Sequence, residues 1–424
     1  MKALIYILML TAPLFGVDII EKTLDNGMKV VLVPTKSSED EVLMKLVAKG
    51  GFAVLSPKKQ PSGRLAADIV WEVGLDTLTA EQISAKLYEA SSDLQASIYP
   101  LYRTIEGSSA KESTRVPLEI IRLLFIEPKL SENDLKNGLD SLKRGFQSEE
   151  RDDEWNTALQ EKQLNTGDWP PFRPVTKRGL DEIDLTTVRE FYKQSFSNPS
   201  EFYCVIVGNF DKEALIRDID ATLGKIPPSS SSFPPPPPFP PFPQGKKEKA
   251  LIQKGKAAAF CRYTFPVKGK FDEMGVRKLE LASHIIEVHL RNLIKKEKKL
   301  SLGLDVSYEF PFFPYLDDAW LTLHFFSPKS EMGALSKQIL DGFQALLEQG
   351  PTKNDIEQAL NQIAWSDEYW ETDDAYWLMR ISNIYLWGWS PKILQKKGEP
   401  LTLTPEELRG MISAENYTKI TTSP

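Results

Sequence analysis

Two stretches of this chain are one pattern written twice. "SENDLKNGLDSLKRGFQSEERDDEW" starts at Ser131 and "TKNDIEQALNQIAWSDEYWETDDAYW" starts at Thr352, a constant offset of 352 − 131 = 221 residues. In that register Asn133 and Asp134 match Asn354 and Asp355, Leu139 matches Leu360, Asp152 and Asp153 match Asp373 and Asp374, and Trp155 matches Tyr376. Each copy opens on a Ser or Thr cap, runs as a long helix, and meets a second acidic cap before another helix. A gapless register of this length predicts a duplicated domain, and 424 residues are enough to give each copy its own core.

A boundary between the copies is written in proline. "PPSSSSFPPPPPFPPFPQG", residues 227–245, holds ten of the thirty prolines. Such a segment has few backbone donors and favours extended polyproline geometry, so it reads as a semi-rigid spacer rather than a core element. The expected division is a leader at 1–17, a first domain at 18–226, the spacer at 227–245 and a second domain at 246–424. Around it, "VDIIEKTLDNGMKVVLVPT" (17–35) reads as a hairpin about an Asp-Asn-Gly turn. "VLMKLVAKGG" (42–51) reads as a third strand, 94–110 as another pair and "EFYCVIVGNFD" (201–211) as a short buried strand. Helical patterns cover roughly 64–73, 79–91, 113–126, 131–149, 153–164 and 185–196. The second half repeats the order, with strands near 249–265, 303–310 and 317–327. The predicted class is α+β, with two homologous domains, each an antiparallel sheet with helices on one face.

The N-terminus, "MKALIYILMLTAPLFGVD", has one lysine, an apolar run too short to span a bilayer, and small residues around Gly16. Those are the proportions of a secretory signal peptide and predict a periplasmic or secreted protein; an uncleaved anchor is the rival reading. No later segment approaches spanning length. The net charge of −7 argues against a nucleic-acid partner, and the lysine-rich runs at 245–256 and 295–299 read as solvated faces. The two cysteines, Cys204 and Cys261, fall in strands of different halves and read as buried thiols.

"HIIEVH" (284–289) looks like metal-site material and holds two of only three histidines, the other being His324. A helical zinc motif sets its histidines four residues apart, about 40° around the helix. His284 and His289 are five apart, which turns the second ring to about 140°. One ion cannot take both. Ile285, Ile286, Val288 and Leu290 read instead as a packing face.

Taken together, "TLDNGMKVVLVPT", the helix after a Gly-rich turn, "FYCVIVGNFD" before "KEAL", and a proline linker between two similar α+β halves resemble the M16 family of insulinase, pitrilysin and mitochondrial processing peptidases. The likeness covers about 18–420 and is nearest to the C-terminal, non-catalytic half of the long bacterial members. The resemblance implies an inverted zinc motif, HxxEH, on the first long helix after the Gly-rich turn. In "GRLAADIVWEVG" (63–74) those positions are Ala67, Asp68, Ile69, Val70 and Trp71. Neither histidine is present, and residues 1–283 hold none at all. Glu72, Glu149 and Glu150 remain nearby, but carboxylates without imidazole or thiolate make a poor zinc site. No metal and no cofactor are therefore expected.

The resemblance further implies an Arg and, seven residues on, a Tyr that bind substrate backbone from the second domain. The aligned positions here are Lys295 and Leu302. Lysine keeps the charge without the planar fork and leucine donates nothing, so the pair is degenerate; Tyr308 lies further along the strand. Five of nine tryptophans crowd into 365–389, namely Trp365, Trp370, Trp377, Trp387 and Trp389, with Tyr369, Tyr376 and Tyr385 among them. Most read as core; Trp387 and Trp389 are the candidate interface anchors. The leading expectation is an exported, catalytically inactive M16 homologue that completes a peptide-binding chamber with a zinc-bearing M16 subunit, as a heterodimer. Self-association is the other possible partnership. A stand-alone peptide-binding or scaffold protein is the alternative, and an active zinc metalloendopeptidase the least favoured reading.

Overall fold

The structure is a computed structural model that describes residues 18–36, 40–145, 153–253, 258–298, 303–395 and 401–423. The expected leader at 1–17, Glu149, Glu150 and Leu302 lie outside the described residues. In chain order the strands are β1 (Ile20–Thr23), β2 (Lys29–Pro34), β3 (Glu41–Lys49), β4 (Gln95–Ile98), β5 (Tyr102–Ala110), β6 (Tyr203–Gly208), β7 (Lys246–Ile252), β8 (Ala259–Val267), β9 (Asp305–Glu309), β10 (Ala319–Ser327) and β11 (Tyr417–Ser423). The helices are α1 (Gln60–Arg64), α2 (Ala66–Val73), α3 (Ala80–Glu89), α4 (Arg115–Ile126), α5 (Glu132–Gly145), α6 (Asp153–Thr166), α7 (Leu185–Phe196), α8 (Lys212–Ala221), α9 (Glu273–Lys298), α10 (Met332–Gln349), α11 (Lys353–Trp370), α12 (Asp374–Trp387) and α13 (Pro405–Met411).

The two sheets share one topology. The first runs β1-β2-β6-β3-β5-β4 and the second β7-β11-β8-β10-β9. Removing the edge strand β1 superposes them strand for strand, and in both the leading pair is parallel (β2 with β6, β7 with β11) while the rest is antiparallel. The α+β class holds, with a first correction: each sheet is mixed rather than purely antiparallel. The Asp-Asn-Gly turn is the expected hairpin between β1 and β2, with Gly27 at φ 87°. The buried Asn26 amide also ties it to the carbonyls of Leu223 (2.8 Å) and Ile226 (2.9 Å).

The contiguous domain division is corrected as well. The first compact unit comprises 1–148, 175–237 and 370–397; the second comprises 149–174, 238–369 and 398–424. The helix pairs of the sequence repeat are α5–α6 and α11–α12, and in each pair the first helix stays with its own sheet while the second belongs to the other unit. Both first helices open as expected: the Asp134 amide is capped by Ser131 Oγ at 3.2 Å and the Asp355 amide by Thr352 Oγ1 at 3.1 Å.

In the first unit one sheet face packs Val30, Leu32, Met44, Leu46, Cys204 and Ile206 against α2, α4, α5 and α7. The opposite face, Val31, Val33, Val205 and Val207, is covered by Trp377, Ile381, Ile384 and Tyr385 of α12. Helices therefore cover both faces, not one. In the second unit Cys261, Tyr263 and Phe265 face the α9–α10 layer, where Phe265 meets Phe343 at 4.8 Å. The other face receives α6 through polar contacts: Glu161 accepts from Arg262 (2.7 Å) and Thr264 (3.0 Å), and Gln253 donates to Thr157 (2.8 Å). The duplicated helices thus dock by opposite chemistry. Both cysteines are free and buried, and burial pushes their thiols up to about 12. No helix among the described residues is long and apolar enough to cross a membrane.

The proline segment is not a bare spacer. In the first unit Phe233 lies 5.9 Å from Phe191 and 4.2 Å from the guanidinium carbon of Arg103. In the second unit Phe239 stacks on Phe312 at 4.5 Å and Phe242 packs on Trp320 at 5.6 Å. Its phenylalanines anchor it while its prolines keep it extended.

Candidate functional site

Position 67 is where the M16 resemblance asks for a first ligand. It lies on α2, which follows the Gly50–Gly51 turn and the short helix α1, as the sequence pattern predicted. Ala67 is 1% exposed, Ile69 and Val70 are equally buried, and Trp71 packs half-buried on the same core. On a helix, residues i, i+3 and i+4 share a face, so Ala67, Val70 and Trp71 lie together, and all three are apolar. The neighbouring helix α5 comes so close that a Cβ on Gly138 would sit 2.6 Å from the Ile69 carbonyl and 2.5 Å from Val73. Of the carboxylates on α2, Glu72 points to the surface and accepts a 2.5 Å hydrogen bond from Ser141, and Asp68 is half-buried. Tyr99 has its phenol pushed up, chiefly by burial and then by the Glu106 charge, with a smaller push from Asp68.

This residue set does not fit a zinc ion: the face offers a methyl, an isopropyl and an indole where imidazoles and a carboxylate are required. Among the described residues no group of three or more His, Cys, Asp or Glu is placed to hold a metal. The face has become core, so Ala67→His is expected to destabilise the protein by about 1–3 kcal/mol through overpacking. Equilibrium urea unfolding measures this, and an unchanged midpoint would mean that the face has room to spare.

"HIIEVH" lies on α9 with Ile285, Ile286, Val288 and Leu290 buried, as the packing-face reading expected. Its two rings go to different partners. His289 Nδ1 is 3.2 Å from Asp355, the carboxylate that caps α11, and His284 Nδ1 is 3.9 Å from Glu287. Burial raises the Glu287 carboxyl above its usual range, opposed mainly by Arg291 at 2.5 Å. Lys295 is exposed on the last described turns of α9, and Tyr308 on β9 packs toward Phe310 at 6.1 Å.

These arrangements now meet the known proteins. The family model described as the peptidase M16 inactive domain matches residues 182–363. A zinc protease PQQL-like protein of Arabidopsis thaliana is 27% identical over 211 residues, which is 50% of this chain and 20% of that protein. The chain has an M16-like fold. Among solved structures, the periplasmic protease PqqL of Escherichia coli matches with a TM-score of 0.71 at 14% identity, over 100% of this chain and 47% of PqqL. A peptidase M16 inactive domain from Pseudomonas fluorescens matches with a TM-score of 0.71 at 13% identity, over 96% of this chain and 98% of that one. This M16-like chain therefore spans about half the length of PqqL.

The tryptophan cluster divides. Trp377 is 4% exposed and part of the first unit's core; Trp387 and Trp389 are half-buried, 4.6 Å apart, and Trp389 leans on that core. The exposed aromatics are on α11, where Trp370 is exposed and, beside it, Trp365 (69% exposed) and Tyr369 (59%) stack at 5.8 Å. Their i, i+4 spacing was a legible signal for one helix face. Nothing in the spacing distinguished them from core aromatics.

Proposed function

We propose that this chain is a non-catalytic M16 half that holds peptide opposite a separate, zinc-bearing M16 subunit. The observation that carries the reading is the α2 face, where Ala67, Val70 and Trp71 replace the positions at which the family resemblance asks for two ligands and a base. The match of residues 182–363 to the M16 inactive domain supports it, as does the coverage of PqqL, of which this chain matches about half. PqqL is a periplasmic protease, and the apolar leader composition of residues 1–17 supports an exported location here too. In this reading Lys295 plays at most a screened role, because an exposed lysine holds no fixed geometry, and the partner docks on exposed aromatics.

The test is reconstitution. The chain alone is expected to carry no stoichiometric zinc and to leave unstructured peptides uncut, and to raise the activity or stability of a zinc-bearing M16 subunit when mixed with it. Replacing Trp365 and Tyr369 together with alanine is expected to weaken that association by about 1–2 kcal/mol or more, and replacing Trp387 and Trp389 by less, because Trp389 leans on its own domain and Trp387 packs against Trp389. Near-equimolar zinc with chelator-sensitive cleavage by the chain alone overturns the reading. A partner subunit indifferent to the chain favours the stand-alone peptide binder instead.

A further inference from the structure

A second buried centre in the first unit has no part in the zinc-motif comparison. Arg103, on β5, is 0% exposed. Its Nε donates to the Ser195 carbonyl at 2.6 Å, one terminal nitrogen donates to the carbonyls of Lys49 and Gly50 (the latter at 3.3 Å), and the other pairs with Glu201. The second Glu201 oxygen accepts the backbone N–H of Phe233 at 2.6 Å. The Phe233 ring lies over the guanidinium at 4.2 Å, with Phe202 at 5.1 Å and Phe191 closing a wall at 5.9 Å. Gly50, at φ 92°, forms the floor: a Cβ there would run into the Phe233 ring. Just upstream, Asn198 donates to the Ser231 carbonyl and Ser197 bonds Ser231 at 3.1 Å.

We propose that Gly50, Arg103, Phe191, Glu201 and Phe202 form a recognition cage for an aromatic residue followed by proline, and that the chain's own strap fills it in cis as a detachable latch. Three elements of recognition converge on Phe233, and Ser231 just before it is held by Asn198 and Ser197. The guanidinium presents a cationic face to an aromatic ring. The carboxylate fixes the backbone N–H that leads into the ring. The prolines from 234 onward keep the following chain extended at little entropic cost, as in polyproline recognition. The ligand class is therefore an extended Ser-Phe-Pro-Pro peptide, which the strap presents at high local concentration. The inference stands independently of the peptidase reading, because none of these residues is on the α2 face.

The full-length chain with Phe233→Ala, and the unaltered chain, are each titrated with the synthetic peptide Ser-Ser-Phe-Pro-Pro-Pro by calorimetry, with Ser-Ser-Ala-Pro-Pro-Pro as control. The variant is expected to bind the phenylalanine peptide saturably, and both the control peptide and the unaltered chain at least tenfold more weakly. Hydrogen exchange of the Phe233 amide in the unaltered chain gives a second readout that needs no variant: it is expected to be protected, and to exchange faster when the peptide is in large excess. Equal binding of the two peptides by a folded variant overturns the proposal. So does a Phe233 amide that exchanges at the rate of a free peptide, whether or not the variant folds.

Discussion

Replacing Arg103 with alanine is expected to destabilise the first unit by about 3–5 kcal/mol, the range seen when one partner of a buried ion pair is removed. The loss is not the ion pair alone. The guanidinium donates to the carbonyls of Ser195, Lys49 and Gly50, so alanine leaves three acceptors and one Glu201 oxygen short of a donor; Arg103 itself is fully buried, while the Glu201 side chain is 22% exposed. The Phe233 and Phe202 rings lose the cation between them. Arg103→Lys is expected to recover only a minor part, because a compact ammonium cannot reproduce a planar fork that reaches β3, α7 and the turn at Pro199–Glu201 together. Urea unfolding followed by far-UV circular dichroism reads the difference. A cost below about 1 kcal/mol for the alanine variant would mean that water enters and satisfies the carbonyls, and that the centre is not structural.

Arg103 was also the residue that sequence reading had least means to find. It sits in "LYRTIEG", where nothing marks one arginine as the hub of four chain segments, and three of its acceptors are backbone carbonyls invisible to any side-chain motif. The proline segment read as a spacer for a related reason. Proline composition correctly implied an extended path, but the three phenylalanines set within it carried the information about anchoring. The double layer left a signal in the sequence that the one-face expectation passed over. "VVLV" within β2 and "YCVIVG" are unbroken apolar runs, the signature of strands buried on both faces and of parallel neighbours. A sheet with helices on one face alone leaves Val31, Val33, Val205 and Val207 without cover. The repeat made the shared topology legible too, since equal helices imply equal places to pack. Its silence concerned which sheet each second helix joins. That choice is made by complementary faces: Trp377, Ile381 and Ile384 suit a valine surface, whereas Glu161 and Thr157 suit Arg262, Thr264 and Gln253. For the candidate site, the missing histidines were plain from the sequence, while the burial of the substituted face needed the fold.

The exchange of helices carries the second large prediction. Trp377 stands in the second half of the sequence, yet its ring is buried with Val31, Val33, Val205 and Val207 of the first unit, and its indole N–H donates to the Glu371 carbonyl at 2.9 Å. Trp377→Ala is therefore expected to cost about 3–5 kcal/mol, the usual penalty for emptying a buried tryptophan site, and to act on the first unit's sheet rather than the second's. Hydrogen exchange of the β2 and β6 amides locates the effect. The same arrangement changes what a cut in the linker does. If each half of the sequence folded alone, cleavage between 227 and 245 would release two independent domains. Here the C-terminal fragment would keep α12, which closes one face of the first unit, and the N-terminal fragment would keep α6, whose Glu161 bonds Arg262 of the second. A chain opened at a protease site inserted after Pro236 is expected to show two bands on a denaturing gel and a single species of unchanged size in native buffer. Trp377→Ala in the cut chain is expected to let the fragments part, since the apolar half of the exchange is the half that resists water. Clean separation of two folded fragments from the unmutated, cut chain would show that α6 and α12 can return to their own sheets, and that the exchange contributes little to holding the molecule together.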